Sequence, residues 1–391
     1  MQISNRVKAI AASQSLAMAA RARQMKAAGM DVISMSLGEP DMDTPEHIRR
    51  AAQEATDNHW SHYGPVPGIP SLREAVAGMQ NGLTGDYPSS VVFSGEDVVV
   101  SVGAKMAIYN AIQTVVNPGD EVIIPMPSWV SYSEMVKLAE GVVVPVTTRY
   151  EDRYNLTPKQ LRDALTPRTR MLILCSPNNP TGSVYSPEEL EALVAVLRDS
   201  PDVVVLSDEI YNCLTYGTQA LSMAAFGGLS DRLIVVNGVS KAYAMTGYRI
   251  GWLLCRNRSF IGACTRLQGQ QLTCATMIAQ KAAEAALRDD QACVEQMRQV
   301  FAQRRELICR LAAQIPGFRF SEPQGAFYLF PDVSAIGTGD EVAEMLLEKA
   351  HVAVVSGAAF GYPSCIRLSY AINTKEIEEA MRRIRNVLEH N

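Results

Sequence analysis

Between residues 97 and 255 the chain repeats one pattern: a short apolar, largely β-branched run, often followed by a stretch of helical character. The runs are DVVVSV (97–102), EVIIP (121–125), GVVVPV (141–146), RMLILC (170–175), DVVVLS (202–207), RLIVV (232–236) and IGWLLC (250–255). Helical stretches at 104–116, 129–139, 158–165 and 186–199 separate several of them. A strand that is apolar on both faces has to be covered on both faces. Joined by helices, such runs predict a mainly parallel seven-stranded sheet flanked by helices. In open α/β sheets, ligands bind beyond the carboxyl ends of the strands. The chemistry of this chain is therefore expected in the residues just after the runs.

The two ends of the chain read differently. Residues 12–29 are expected to form an amphipathic helix, and DVISMSLGEPDMDTPEHI (31–48) a short strand followed by a turn-rich loop. Thr44-Pro45-Glu46 opens the next helix, with Thr44 as its N-cap and Pro45 in the first helical position. A Pro/Gly loop, HYGPVPGIPSLREAV (62–76), runs into another helix at Ser71. Residues 259–315 look mostly helical. After them come FRFSEPQGAFYLFPDV, a helix over 338–350, HVAVVSG, CIRLSYA and a terminal helix over 374–388. The expected architecture is α/β: a large domain over 46–285, and a smaller α+β domain over 286–391 joined by the N-terminal segment 1–45.

Composition narrows the partners. The chain has 391 residues, 20% of them charged, with a net charge of −5. That leaves no large basic surface for nucleic acid. No apolar run is long enough to span a membrane, and the N-terminus has no signal-peptide core. The eight cysteines form no CxxC pair, and several sit inside apolar runs, as reduced core residues do. His59 and His62 are the only neighbouring histidines and read as a solvated loop pair, so no metal is expected. These features point to the cytoplasm.

The residues after the runs carry polar chemistry. After 97–102 comes Gly103, where the backbone can be closely approached, and a helix start whose free N–H groups suit a phosphate. After 170–175 comes Ser176-Pro177-Asn178-Asn179-Pro180-Thr181-Gly182, a rigid loop in which Asn179 can present an amide to a ring oxygen. After 202–207 comes Asp208, with Tyr211 close behind. A carboxylate at the end of a core run needs a cationic or hydrogen-bonding partner. After 232–236 come Lys241 and Arg249. A desolvated lysine tends to a lowered pKa and can form a Schiff base with a carbonyl. Arg249 offers a planar fork for a phosphate, and Arg367, within CIRLSYA, one for a carboxylate. Singly, each has an ordinary structural reading: a tight strand–helix turn at Gly103, a surface turn around Asn179, a helix N-cap at Asp208, an edge-strand arginine facing water at Arg367. Together they match the aldehyde, ring nitrogen, ring oxygen and phosphate of pyridoxal 5′-phosphate.

The stretches SLGEPDMDTP, YGPVPGIPSLREA, SPNNPTG, SDEIY, SKAYAMTGYRIGW and RLSYA, in that order, resemble the class I pyridoxal-phosphate aminotransferases of fold type I. Within them they resemble the bacterial aspartate aminotransferases of the "b" subgroup. The resemblance runs over nearly the whole chain. It implies that Lys241 bonds the cofactor and moves the proton, that Asp208 pairs with the ring nitrogen, and that Asn179 and Tyr211 hold the ring oxygen. It implies that Trp129 stacks on the ring, and that Arg249 with the backbone N–H groups of Ala104 and Lys105 holds the phosphate. Tyr63 would reach the phosphate of a neighbouring subunit, which implies a homodimer with shared sites. Arg367 would bind the substrate α-carboxylate, with Gly38 on a closing segment.

For the substrate, the same resemblance associates the Lys105 side chain, helped by Ser13 and Ser15, with the distal carboxylate of aspartate or glutamate. The expected reaction is amino-group exchange between L-aspartate and 2-oxoglutarate, giving oxaloacetate and L-glutamate. Aromatic, prephenate or alanine specificity, or β-lyase chemistry on the same scaffold, are the alternatives. Two positions depart from the commonest pattern. Ser128 stands where tyrosine is frequent, and Gly238 where serine is frequent, which removes one possible phosphate contact.

Overall fold

The structure, a computed structural model, describes residues 1–12, 14–84 and 87–390. A short strand, β1 (Ile33–Ser34), follows the helix Gln14–Ala27. The large sheet is then built from β2 (Val98–Val102), β3 (Glu121–Met126), β4 (Val142–Thr147), β5 (Thr169–Cys175), β6 (Val204–Asp208), β7 (Leu233–Gly238) and β8 (Ile250–Leu254). Its spatial order is β2-β8-β7-β6-β5-β3-β4, and β8 runs antiparallel to both of its neighbours while the other pairs are parallel.

Burial explains the run-like sequences. Val98, Val99 and Val100 are all fully buried although they point to alternate faces. One apolar cluster covers one face, with Val98, Val100, Leu172 and Val205. A second covers the other, with Val99, Met171, Ile173 and Leu206. Each such side chain contributes about 1.5–3 kcal/mol when it leaves water, and the buried polar residues of these strands, such as Ser101 and Ser207, are hydrogen-bonded. The exception to this burial is β4, an edge strand that pairs only with β3. It is partly exposed and accommodates Pro145, whose missing N–H costs no ladder bond at an edge.

The remaining strands are short: β9 (Tyr328–Leu329), β10 (Val352–Ala353), β11 (Val355–Ser356) and β12 (Ile366–Ser369). β12 pairs antiparallel with β11 and β9, and β1 pairs parallel with β10, Ile33 opposite Val352. The N-terminal segment is thus stitched into the C-terminal part of the chain. Ala22 and Val32 share a buried cluster with Leu347 and Ala353. The helix Ala292–Ala312 bridges the two cores, with Cys293 and Val294 against the large sheet's cluster and Phe301, Ile308 and Ala312 within the other.

One helix start differs from expectation. The helix after the N-terminal loop runs Glu46–Asp57 with Pro45 as N-cap, and Thr44 makes no cap bond. The Thr44 hydroxyl instead donates to the Ala244 carbonyl at 2.7 Å, a long-range tie that outcompetes local capping. Among the described residues no helix is long and apolar enough to cross a membrane.

Candidate active site

Strand ends converge on a cleft of about 340 Å³. At its floor, Asp208 closes β6 and lies opposite Cys175, the last residue of β5. Asp208 is only 3% exposed. Its Oδ2 accepts a 2.6 Å hydrogen bond from the Tyr132 hydroxyl, and its Oδ1 accepts from the Ile210 N–H at 3.2 Å. Burial pushes the carboxyl up to about 6. These two donors and the Lys241 charge pull in the opposite direction.

Lys241 stands just beyond the end of β7, and its Nζ donates to the Gly38 carbonyl at 2.7 Å. Burial lowers its pKa to about 8. Glu39 opposes that shift, while Arg249 and Arg367 add to it. The loop bearing the lysine is tied to the N-terminal segment twice more, through Thr44 to Ala244 and through the Thr246 hydroxyl to Glu39.

At one end of the cleft the helix Gly103–Val115 begins directly after β2. Gly103 has φ +78°, and a Cβ there would lie 2.5 Å from Arg249 Nη2. A Cβ on Gly251 would collide with the Ala104 nitrogen. Glycine at both positions lets Arg249 and the helix start close on the same space, where the first-turn N–H groups lack intrahelical acceptors. Arg249 Nη1 also donates to the Thr246 carbonyl at 2.8 Å. Gly238 has a packing reason for being glycine. A Cβ there would come within 2.9 Å of the Gly251 Cα and the Ile250 carbonyl oxygen.

At the other end Arg367 extends from β12. It is 3% exposed, so it does not face water as an edge-strand arginine would. Nη1 donates to Asn179 Oδ1 at 2.9 Å and Nη2 to the Ser36 carbonyl at 2.6 Å, while the buried Nε has no partner among the described residues. Asn179 therefore turns its amide oxygen to Arg367 and keeps its NH₂ group for another acceptor. Trp129 lines the wall, with Lys105 Nζ 4.8 Å from its ring centroid and Tyr132 edge-on to it. Burial and the nearby Arg249 charge lower the Lys105 pKa.

Gly38, Ala104, Lys105, Trp129, Asn179, Asp208, Tyr211, Lys241, Arg249 and Arg367, the residues singled out in the sequence, all line this one cleft. Tyr63 does not; it is 88% exposed on the surface. Ser13 and the side chain of Ser15 lie outside the described residues. Ser128 is buried, its hydroxyl on Met126 Sδ at 3.2 Å. The sequence reading missed Tyr132, Tyr328, Cys175, Ser36 and Glu39, which also line the cleft. Only Tyr132 left a usable signal: it follows Trp129 by three residues, and a turn bond from its N–H to the Trp129 carbonyl at 3.1 Å leads into the helix.

The donor set suits an aromatic phosphate aldehyde. Backbone N–H groups and an arginine face a glycine-cleared space, a buried acid stands at the floor, a lysine of lowered pKa lies between, and an unpaired guanidinium N–H waits at the far end. A mainly parallel sheet with these groups at its strand ends fits a group transferase, and the family below implies pyridoxal phosphate. The comparisons agree. Residues 30–384 match the model of the family described as aminotransferase class I and II. The chain is 43% identical to an aspartate aminotransferase of Geobacillus stearothermophilus, over 100% of this chain and 99% of that protein. It is 41% identical to an aspartate/prephenate aminotransferase of Nitrosomonas europaea, over 99% and 100%. The solved aspartate aminotransferase of Thermus thermophilus with maleate superposes with a TM-score of 0.94 at 39% identity, covering 99% of this chain and 100% of that one. The chain belongs to the class I and II aminotransferases.

Proposed function

We propose that this chain is an aspartate aminotransferase that uses pyridoxal 5′-phosphate to pass the amino group between L-aspartate and 2-oxoglutarate. The observation that carries the reading is the placement of Lys241, of lowered pKa, between the buried Asp208 and the buried Arg367 with its free Nε. The names of the full-length relatives support the substrate.

When bound, pyridoxal phosphate supplies an aldehyde for the amine and a ring that draws electrons from the substrate Cα. The protein does the rest. Arg249 and the N–H groups of Ala104 and Lys105 would hold the phosphate. Asp208 would keep the ring nitrogen protonated, Tyr211 and the Asn179 amide would hold the ring oxygen, and Trp129 would pack on the ring. Arg367 takes the α-carboxylate in a planar fork and so orients the Cα–H bond. Lys241 Nζ moves the proton off Cα, and a pKa near neutrality makes it an effective base. The Lys105 side chain, with Ser13 and Ser15, receives the distal carboxylate.

In this reading residues 1–45 and 286–391 form the small domain that brings Arg367 and Gly38 to the cofactor-binding domain, 46–285. The exposed Tyr63 would complete the phosphate site of a second copy, which makes the working form a homodimer. A second reading, an enzyme that also accepts prephenate, is favoured by the names of several relatives.

The test is optical. The yellow holoenzyme is mixed separately with L-aspartate, L-glutamate, L-alanine, L-tyrosine and L-phenylalanine. Bleaching by aspartate and glutamate but poorly by the others supports the proposal. Bleaching chiefly by the aromatic amino acids would keep the class and discard the substrate.

A further inference from the structure

Tyr328 touches three parts of the cleft at once. It sits on β9, paired with Ser369 of β12, two residues beyond Arg367. Its hydroxyl lies 2.8 Å from the Tyr211 hydroxyl. Its ring lies against the guanidinium carbon of Arg367, 4.5 Å from centroid to carbon, and Phe360 flanks the same carbon at 4.9 Å. Finally, a Cβ on Gly38 would collide with the Tyr328 hydroxyl. One buried side chain therefore stands between the carboxylate-binding arginine, the tyrosine at the ring oxygen and the segment that accepts from Lys241.

We propose that Tyr328 is a positioning residue that couples the carboxylate end of the site to the cofactor end. The inference rests on the roles given above to Arg367 and Tyr211. Its two parts act through different chemistry. The ring, with Phe360, fixes the guanidinium plane, and the two hydrogen bonds from Nη1 and Nη2 set its rotation. Only Nε and the free N–H positions then point to an incoming carboxylate. The hydroxyl orders the Tyr211 proton. Of two facing hydroxyls, one donates to the other. If Tyr211 spends its proton on the ring oxygen, it must accept from Tyr328. That acceptance polarises the Tyr211 O–H and strengthens its donation. The same hydroxyl limits how closely Gly38 can pack, which is why a larger residue at 38 would push Tyr328 off both partners.

The experiment uses two variants of the holoenzyme and two readouts. Tyr328→Phe keeps the ring and removes the hydroxyl; Tyr328→Leu removes both. The first readout is the pH midpoint of the bound cofactor's absorption spectrum. The second is the affinity for maleate, a dicarboxylate with no amino group to transfer. Tyr211 donation withdraws charge from the ring oxygen that would otherwise hold a proton on the neighbouring nitrogen. Weakening that donation raises the midpoint. The expected result for Tyr328→Phe is a midpoint raised by about half a pH unit, with maleate affinity within about twofold of the parent. Tyr328→Leu is expected to show the same rise and to bind maleate about tenfold more weakly.

An unchanged midpoint in Tyr328→Phe overturns the hydroxyl relay. Undiminished maleate affinity in Tyr328→Leu overturns the ring's role. If the leucine variant does not fold, Tyr328→Met tests the ring. A separate control guards the underlying site: if Arg367→Lys binds maleate as well as the parent does, the carboxylate assignment itself fails, whatever Tyr328 does.

Discussion

The Tyr132 hydroxyl donates to Asp208 Oδ2 at 2.6 Å, joining the helix Ser131–Leu138 to the last residue of β6. Both groups are fully buried, and burial, followed by the Asp208 charge, raises the tyrosine pKa well above its ordinary value. The phenol therefore stays protonated and remains a donor. Hydrogen bonds to buried charges are worth about 1.5–3 kcal/mol. Tyr132→Phe should leave Asp208 less able to hold a charge, and cofactor affinity should fall by about tenfold or more. Titrating the cofactor-free variant with pyridoxal phosphate measures this. Affinity equal to the parent's would show that the bond does not tune Asp208.

Asp208 costs the cofactor-free protein stability. Its pKa is raised from 3.8 to about 6. A raised carboxyl stabilises the fold when protonated, fully so below the unfolded value of 3.8, and that stability is lost as pH rises through 6. The difference corresponds to ~3 kcal/mol at neutral pH. Asp208→Asn should therefore melt several degrees higher than the parent at pH 7–8, both cofactor-free, with the gap closing below about pH 4. The same variant should lose nearly all transamination. A gap that does not change with pH would separate the stability effect from the carboxyl's titration.

Lys241 must be neutral to attack an aldehyde. With its pKa at about 8 instead of the ordinary 10.5, the rate of covalent cofactor capture by the cofactor-free protein should climb with pH and level off above about 8. Stopped-flow absorbance over pH 6–10 reads this directly. A rate still rising steeply at pH 10 would mean that the lysine is not desolvated. Lys241→Ala should fold, bind the cofactor without covalent attachment and turn over nothing measurable.

Lys105 offers a specificity test. Its ammonium lies 4.8 Å from the Trp129 ring centroid, in the cleft beside the proposed substrate position. Lys105→Ala should lower kcat/KM for aspartate by about tenfold to a hundredfold while changing alanine little, since only aspartate has a second carboxylate to lose a partner. Equal losses for both amino acids would remove Lys105 from substrate selection.

Much of this was legible in the chain. The seven runs became the seven strands of the large sheet, because short β-branched runs suit strands, and all but the edge strand β4 are covered on both faces. Lys241, Asp208 and Asn179 could be found because strand ends are where such folds bind ligands. Thr44 was misread because a cap is a local bond, and its hydroxyl found a partner 200 residues away. Tyr328 left no signal, since GAFYLF is indistinguishable from core packing until the fold sets it against Arg367 and Tyr211.

Which segments form the large sheet, and which polar residues stand at its strand ends, could be read from the chain alone. Those follow from backbone sterics and apolar periodicity, which act within a few residues. That Asp208 leans on Tyr132, that two aromatic rings flank the buried Arg367, and that Lys241 reaches Gly38 emerged with the fold. Those contacts join residues from 7 to 203 positions apart. Their strength comes from the burial of these groups, which exists only once both parts of the chain have packed together.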